Sequence, residues 1–233
     1  MAGTAEGAEQ WAFTGRPVRL PKPAGSNIEG PMITYWKETE EENVNDYTEE
    51  IKTYIRMEEQ VLKHLPVEDI NTVMNVLERA RLSGRRIFIC GNGGSASTAS
   101  HYECDFNKGV SYDQEIKYDF ECLSDNVPMM MAIANDIGYD DIFVTPLKNK
   151  LKSGDVVIGI SGSGNSENVV RAIRYANDAG ADTIAICGYR GGRIKELANY
   201  NIHVNIDNMQ IVEDMHLVLD HLMMYILSGM KGC

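Results

Sequence analysis

The alternation of short, β-rich apolar runs with longer helical patterns, which begins at Arg85, constrains the fold more than any other feature of the chain. The predicted strands are residues 87–90, 118–123, 156–160, 183–187 and 202–206. The helical patterns between and after them are residues 97–106, 127–134, 168–179, 194–198 and 211–227. Such alternation favours a parallel sheet covered by helices on both faces. We therefore predict an α/β fold with three layers and a five-stranded parallel sheet in the middle.

The segment before the sheet divides into two parts. Residues 47–65 and 67–82 carry apolar side chains at helical spacing and predict two N-terminal helices. Residues 1–43 lack this periodicity and contain many Gly, Ala and Pro residues, which predicts a partly extended arm ahead of a domain at residues 44–233. The apolar side chains of Trp11, Phe13 and Leu20 would allow the arm to dock on a neighbouring surface; a partly mobile terminus is the alternative.

The acidic composition limits the partners of the chain. Its 233 residues include 22 Lys and Arg against 34 Asp and Glu, a formal net charge of −12. This charge repels nucleic acid and anionic membranes, so we expect neither as a partner. The apolar runs are too short to cross a bilayer, and the N-terminal residues lack the apolar core of a secretory signal. We therefore expect a cytoplasmic location.

The five cysteines form no CxxC pair, which favours reduced thiols over disulfides or a thiolate zinc site.

Two turns rich in glycine and serine follow predicted buried strands, at residues 91–97 (GNGGSAS) and 161–167 (SGSGNSE). In parallel sheets ligands bind at such turns, where backbone N–H groups, hydroxyls and a helix N-terminus attract an anion. The alternative is that Gly and Ser only build tight turns and helix caps. Neither turn is a Walker A loop or a dinucleotide fingerprint, so we expect no nucleotide cofactor.

Three segments, IFICGNGGSAS, AIANDIGYDDIF and GISGSGNSENVVRAI, resemble the SIS (sugar isomerase) fold, in particular its phosphoheptose isomerase branch. The resemblance covers roughly residues 45–228 and implies an SIS-type three-layer sandwich, assembled as a homotetramer, that binds a phosphorylated sugar. It assigns the phosphate to Ser161, Ser163 and Ser166, with Gly162 in place of the usual Thr. It assigns the sugar hydroxyls to the remaining substrate-binding positions, which are Asn92, Gly93, Ser95 and Asp136.

Two pairs of side chains are candidates for the chemistry. His101 and Asp105 are four residues apart in one predicted helix, and Glu213 and His221 are eight apart in the last. Interconversion of an aldose and a ketose needs a base that moves a proton between adjacent carbons and an acid or Lewis acid at the carbonyl oxygen.

The resemblance makes Asp105 and His221 the base and acid and implies a zinc ion in some members, with His101, Asp105, Glu213 and His221 as its ligands. Asp105 replaces the family's Glu, and Glu213 replaces its Gln. The basic residue that usually follows position 105 is also shifted, with Lys108 the nearest candidate.

Three functions are consistent with these residues. The first is an aldose–ketose isomerase resembling sedoheptulose 7-phosphate isomerase, the second an isomerase of a different phosphosugar, and the third a non-catalytic SIS protein that binds phosphosugars or regulates. A histidine at 101, a carboxylate at 105 and a histidine at 221 favour an enzyme. His216, in an apolar stretch of the last helix, is interpreted as a satisfied core or interface residue.

Overall fold

The structure, a computed structural model, describes residues 45–229. The predicted arm, residues 1–43, lies outside the described residues, and the boundary that separates it from the domain stays a prediction. The helices are α1 (Thr48–Lys63), α2 (Val67–Leu82), α3 (Gly94–Cys104), α4 (Val127–Asp136), α5 (Val144–Lys150), α6 (Glu167–Asp178), α7 (Gly192–Leu197) and α8 (Met209–Leu227). A π-helical turn, Asp105–Val110, continues α3, and a short 3₁₀ turn, Tyr139–Asp141, precedes α5.

Five parallel strands form one sheet in the order β2-β1-β3-β4-β5. The strands are β1 (Ile87–Cys90), β2 (Phe120–Cys122), β3 (Val156–Ser161), β4 (Asp182–Cys187) and β5 (Tyr200–His203). The prediction of a five-stranded parallel sheet with helices on both faces is therefore confirmed.

Alternation along β1 divides the core into two layers. Ile87 and Ile89 pack on the side of α2, α3 and α8, whereas Phe88 and Cys90 pack on the side of α5, α6 and α7. All four side chains are fully buried, as expected for a central strand of a parallel sheet. The helices after the first and second glycine turns thus lie on opposite faces of the sheet.

Several boundaries differ from the sequence-based expectation, and the clearest cases are β5 and α5. β5 is Tyr200–His203 rather than residues 202–206. The N–H of Val204 still bonds to the carbonyl of Cys187 in β4, but the chain then turns, with the N–H of Ile206 bonded to the carbonyl of Val204. These apolar side chains therefore belong to the turn that follows the strand. Helix α5 was not predicted, because its seven residues include Pro146 and are too few for a periodic apolar pattern.

Helix α1 is amphipathic but buries none of its side chains in the described chain. It contacts α8, where the hydroxyl of Tyr54 donates a hydrogen bond to the carboxylate of Asp214. Its large exposed side chains include Ile51, Ile55 and Leu62. No helix in residues 45–229 combines the length and the apolar character that a membrane span requires.

Candidate active site

The two glycine- and serine-rich turns lie side by side at the carboxyl edge of the sheet. β1 and β3 are neighbouring strands, with Cys90 paired to Gly159, so the turns that follow them leave the sheet next to each other. The strand order reverses its direction of growth between β1 and β3. A crevice forms at such a switch point, and ligands of open α/β sheets bind in it. The topology therefore supports a single site formed by both turns.

The side chain of Ser166 in the second turn does not cap the helix that follows it. It occupies the N-cap position of α6, but its side chain makes no capping hydrogen bond. Its Oγ lies 3.3 Å from Oγ of Ser161 instead. At the exposed tip of the turn, Oγ of Ser163 accepts a hydrogen bond from the N–H of Asn165 at 3.2 Å. Hydroxyls beside the N-terminus of a three-turn helix are suited to phosphate oxygens.

The backbone of a third glycine-rich segment, residues 188–192, packs directly against the second turn. The N–H of Gly188 donates to the carbonyl of Gly162 at 2.9 Å. Gly164 has a φ of 67°, and a Cβ at this position would collide with the carbonyl of Gly191. Only glycine fits here without strain, so the two segments hold each other in place.

Sequence analysis missed this third segment as part of the site. Tyr189 and Arg190 line a cavity of about 420 Å³ together with Ser163 of the second turn. Arg190 is thus a basic residue at the cavity that adjoins the second turn, in a protein of net charge −12. The signal was present in the sequence, because residues 188–192 follow a predicted strand just as the other two turns do.

The first turn is shorter than predicted, because α3 begins at Gly94. Gly93 precedes the helix with a φ of 54°, and Ser95 is buried in the first helical turn. Asp136 is the exposed last residue of α4, where its carboxylate accepts a hydrogen bond from the side chain of Asn135 at 2.7 Å. Within residues 45–229, no hydrogen bond joins Asp136 to either turn.

Three of the four candidate catalytic and metal-binding side chains converge. Nε2 of His101 lies 3.1 Å from Nε2 of His221 and 3.5 Å from Oδ2 of Asp105. Nε2 of His221 lies 3.9 Å from the same carboxylate oxygen. The Asp105 side chain is 15 % exposed, whereas both imidazoles are about half exposed. Helical spacing in α3 and the packing of α3 against α8 produce this cluster.

The donor set of this cluster fits a zinc ion. One nitrogen from each of two imidazoles and one carboxylate oxygen lie within 4.8 Å of one another. Zinc in catalytic sites takes three protein ligands of these types and keeps a fourth position for water or substrate. His101, Asp105 and His221 are therefore the residues that would hold a metal in this structure.

Comparison with known proteins identifies the family: the model of the SIS domain matches residues 39–188. The chain belongs to the SIS domain family. A probable phosphoheptose isomerase of Thermoplasma acidophilum is 34% identical over 171 residues, which is 73% of this chain and 93% of the relative. A phosphoheptose isomerase of Helicobacter pylori is 36% identical over 165 residues, which is 71% of this chain and 85% of the relative.

A solved structure agrees with these relatives. The phosphoheptose isomerase from Neisseria gonorrhoeae has a TM-score of 0.73 and 25% identity, over 79% of this chain and 100% of that one. Within the SIS domain family the chain thus falls in the phosphoheptose isomerase branch, as predicted from its motifs.

Glu213 does not lie with the other three side chains that the family resemblance names as metal ligands. It lies outside the cluster, and its carboxyl group sits against Gly94, where a Cβ would collide with it. Eight residues of helix separate Glu213 from His221, a rise of about 12 Å along α8. Glu213 therefore reaches the first turn of α3, while His221 reaches the last. The negative carboxylate lies at the N-terminus of α3, which favours negative charge.

Gly162, which stands where SIS proteins of this branch usually have Thr, is covered by another residue. A Cβ at Gly162 would lie 2.9 Å from Sδ of Met209, the first residue of α8. The methionine side chain thus occupies the space beside the second turn.

Two polar side chains of α8, His216 and Asp220, are fully buried. The carboxyl oxygens of Asp220 have no hydrogen-bond partner among the described residues, and the ring of His216 has only a weak contact with the backbone of Cys187. Burial lowers the pKa of His216 to about 4. Burial, together with the nearby charge of Asp105, raises the pKa of Asp220 to about 8. His216 is therefore a core residue, as expected, and the backbone of Cys187 is a weak polar contact of its ring.

A second group of possible metal ligands lies beside β2 and consists of Glu103, Cys122 and Asp125. The carboxylate of Glu103 accepts a hydrogen bond from the backbone N–H of Cys122. Burial raises the pKa of the Cys122 thiol to about 12, so the thiolate that a metal requires is disfavoured. We assign no metal to this group.

Proposed function

We propose that the chain is a phosphosugar aldose–ketose isomerase whose substrate is sedoheptulose 7-phosphate. The observation that carries the proposal is the convergence of His101, Asp105 and His221 within 3.9 Å. Membership in the phosphoheptose isomerase branch supports the substrate. A cytoplasmic location, where phosphorylated sugars are processed, belongs to the same proposal.

In this proposal the second turn binds the phosphate. The hydroxyls of Ser161, Ser163 and Ser166 donate hydrogen bonds to its oxygens, and the N-terminus of α6 stabilises its charge. Asn92, Gly93 and Ser95 of the first turn, with Asp136, position the sugar hydroxyls. Fixing the phosphate in this way places the carbonyl end of the sugar at a defined distance from the second turn.

The proton transfers fall to Asp105 and His221. Asp105 removes a proton from the carbon next to the carbonyl, which gives an enediol, and returns it to the former carbonyl carbon. Nε2 of His221 moves the second proton between the two oxygens. In the metal-assisted alternative, a zinc ion held by His101, Asp105 and His221 would supply Lewis acidity at the carbonyl oxygen, and His221 would act as a ligand instead of carrying the proton.

Two side-chain changes, one beside the second turn and one at the catalytic cluster, favour one alternative, an isomerase of a different phosphosugar. Met209 lies beside Gly162, where a Cβ would be 2.9 Å from its Sδ, and Asp105 is one methylene shorter than the family's Glu. The first change alters the space beside the second turn, and the second shortens the reach of the base, while His221 is unchanged.

The decisive experiment incubates the purified protein in deuterium oxide with phosphosugars of five to seven carbons. We expect deuterium at the carbon next to the carbonyl of sedoheptulose 7-phosphate, detected by NMR. Asp105→Asn and His221→Ala should each abolish exchange while phosphosugar affinity stays within about tenfold. The exposed His64 offers a control, since His64→Ala should retain full activity.

Each part of the proposal has its own contrary result. Absence of exchange with every phosphosugar would overturn the isomerase, and exchange with another sugar only would change its substrate. Full turnover by His221→Ala would show that His221 is not the acid. Chelation should lower activity. Full turnover after verified metal removal would exclude a role for zinc but leave the isomerase proposal intact.

We also propose a homotetramer. Helix α1 exposes Ile51, Ile55 and Leu62, and the end of α8 exposes Tyr225 and Ile226. Apolar helix faces of this size need a partner surface, and a symmetric assembly supplies one.

A further inference from the structure

The side chain of Asn92 joins three segments of the site through hydrogen bonds. Its Nδ2 donates to Oδ1 of Asn168 at 2.9 Å, and Nδ2 of Asn168 donates back to Oδ1 of Asn92 at 3.0 Å. The hydroxyl of Tyr139 donates to the same Oδ1 of Asn92 at 2.9 Å. Asn92 belongs to the first turn, Asn168 to the start of α6 after the second turn, and Tyr139 to the segment after α4.

A backbone group fixes the orientation of this amide pair. The N–H of Val169 donates to Oδ1 of Asn168 at 2.9 Å, so this atom must be the oxygen. Its partner on Asn92 is then Nδ2, and the atom that faces Tyr139 is Oδ1. Asn168 is 1 % exposed, which holds the pair in one geometry.

The orientation determines what Asn92 offers a ligand. A carbonyl oxygen accepts two hydrogen bonds, and both positions on Oδ1 of Asn92 are taken, by Tyr139 and Asn168. Nδ2 carries two hydrogens, and within residues 45–229 only the bond to Asn168 engages it. Asn92 can therefore donate one more hydrogen bond but cannot accept one.

The network also forms part of a cavity wall. Asn92 and Tyr139 line a cavity of about 250 Å³ between the first turn and α4, where Met130, Met131 and Phe143 supply apolar lining. In such surroundings a single polar group fixes the orientation of a bound ligand.

We propose that Tyr139 and Asn168 are positioning residues that hold Asn92 as a hydrogen-bond donor to the substrate. The ligand atom opposite Asn92 is then an accepting oxygen, such as the carbonyl oxygen of an open-chain sugar, rather than the hydrogen of a hydroxyl group. This inference rests on the proposed function only in taking a phosphosugar as the ligand of the first turn.

The test is a double-mutant cycle on Tyr139 and Asn92, with affinity for sedoheptulose 7-phosphate measured by calorimetry. Tyr139→Phe removes one neutral hydrogen bond and keeps the ring, so we expect up to about tenfold weaker binding. In the Asn92→Ala background the same change should alter affinity less than about twofold, because the group it positions is gone. Tyr112, which is also exposed, provides the control: Tyr112→Phe should bind like the unmodified protein.

The outcomes separate this inference from the isomerase proposal. An equal effect of Tyr139→Phe in both backgrounds, or no effect in either, overturns the positioning role. Phosphosugar binding without turnover overturns the isomerase proposal, but the double-mutant cycle still tests the positioning role of Tyr139. Absence of phosphosugar binding by the unmodified protein overturns both. Thermal unfolding of each variant shows whether lost affinity reflects lost folding.

Discussion

Replacement of the buried His216 should change how the stability of the protein depends on pH. The native pKa of His216 is about 4, against an ordinary value of 6.5. Between these two values the unfolded chain binds a proton that the native protein excludes, so the contribution of His216 to native stability falls as the pH falls, whereas Asp220, with a native pKa of about 8, contributes in the opposite direction. The contribution is fully present above pH 6.5 and is lost progressively toward pH 4.

The size of the effect follows from this difference in pKa. A tenfold difference in proton affinity, which is one pKa unit, corresponds to about 1.4 kcal/mol. His216 therefore makes the protein about 3 kcal/mol less stable at pH 4 than at pH 7, and about 2 kcal/mol of this is already lost at pH 5. His216→Leu removes this proton and two buried nitrogens that have no well-formed hydrogen bond. It should therefore also raise the free energy of unfolding at pH 7, by about 1–2 kcal/mol.

Equilibrium denaturation followed by circular dichroism at pH 7, 6 and 5, at one fixed protein concentration, measures these differences. His216→Asn is the matched variant, because it also lacks the titrating group but keeps a buried polar one. Both variants should lose the acid sensitivity that His216 causes, and only His216→Leu should gain stability at pH 7. If His216→Leu and the unmodified protein lose stability in parallel from pH 7 to pH 5, the reasoning from burial is refuted.

Three further predictions concern the site and the assembly. Ser166→Ala should weaken phosphosugar binding by about 1–3 kcal/mol, measured by calorimetry, because one charge-assisted hydrogen bond is lost; unchanged affinity would remove Ser166 from the site. Glu213→Gln should keep zinc affinity within about tenfold in a competition titration, whereas Asp105→Asn should lower it further; the reverse order would place Glu213 among the ligands. Light scattering at micromolar concentration should show a homotetramer, and a monodisperse monomer would contradict the role given to α1.

The sequence predicted the sheet and its turns because the local pattern and the tertiary structure agree there. Continuous apolar runs such as Ile87–Cys90 are typical of central parallel strands, and glycine-rich turns follow them. The i, i+4 spacing of His101 and Asp105 likewise survives folding unchanged, because a helix fixes it.

Sequence analysis failed where a contact depends on tertiary packing rather than on spacing along the chain. Helical spacing placed Glu213 and His221 on one side of α8, but it could not show that the two reach opposite ends of α3. The pairing of Asn92 with Asn168 joins residues 76 positions apart, and no local pattern encodes it. The apolar character of Val204 and Ile206 suits a strand as well as the buried turn that they occupy.

The π-helical turn Asp105–Val110 affects how the chain can vary in length. A π-helical turn in place of an α-helical one accommodates one additional residue. Loss of a residue between Asn107 and Val110 would relax the segment to an ordinary α-helix and rotate the side chains beyond it by about 100°. His101 and Asp105 precede the deleted position and would keep their spacing. The helix can therefore change which side chains it presents from Val110 onward, while His101 and Asp105 stay in register.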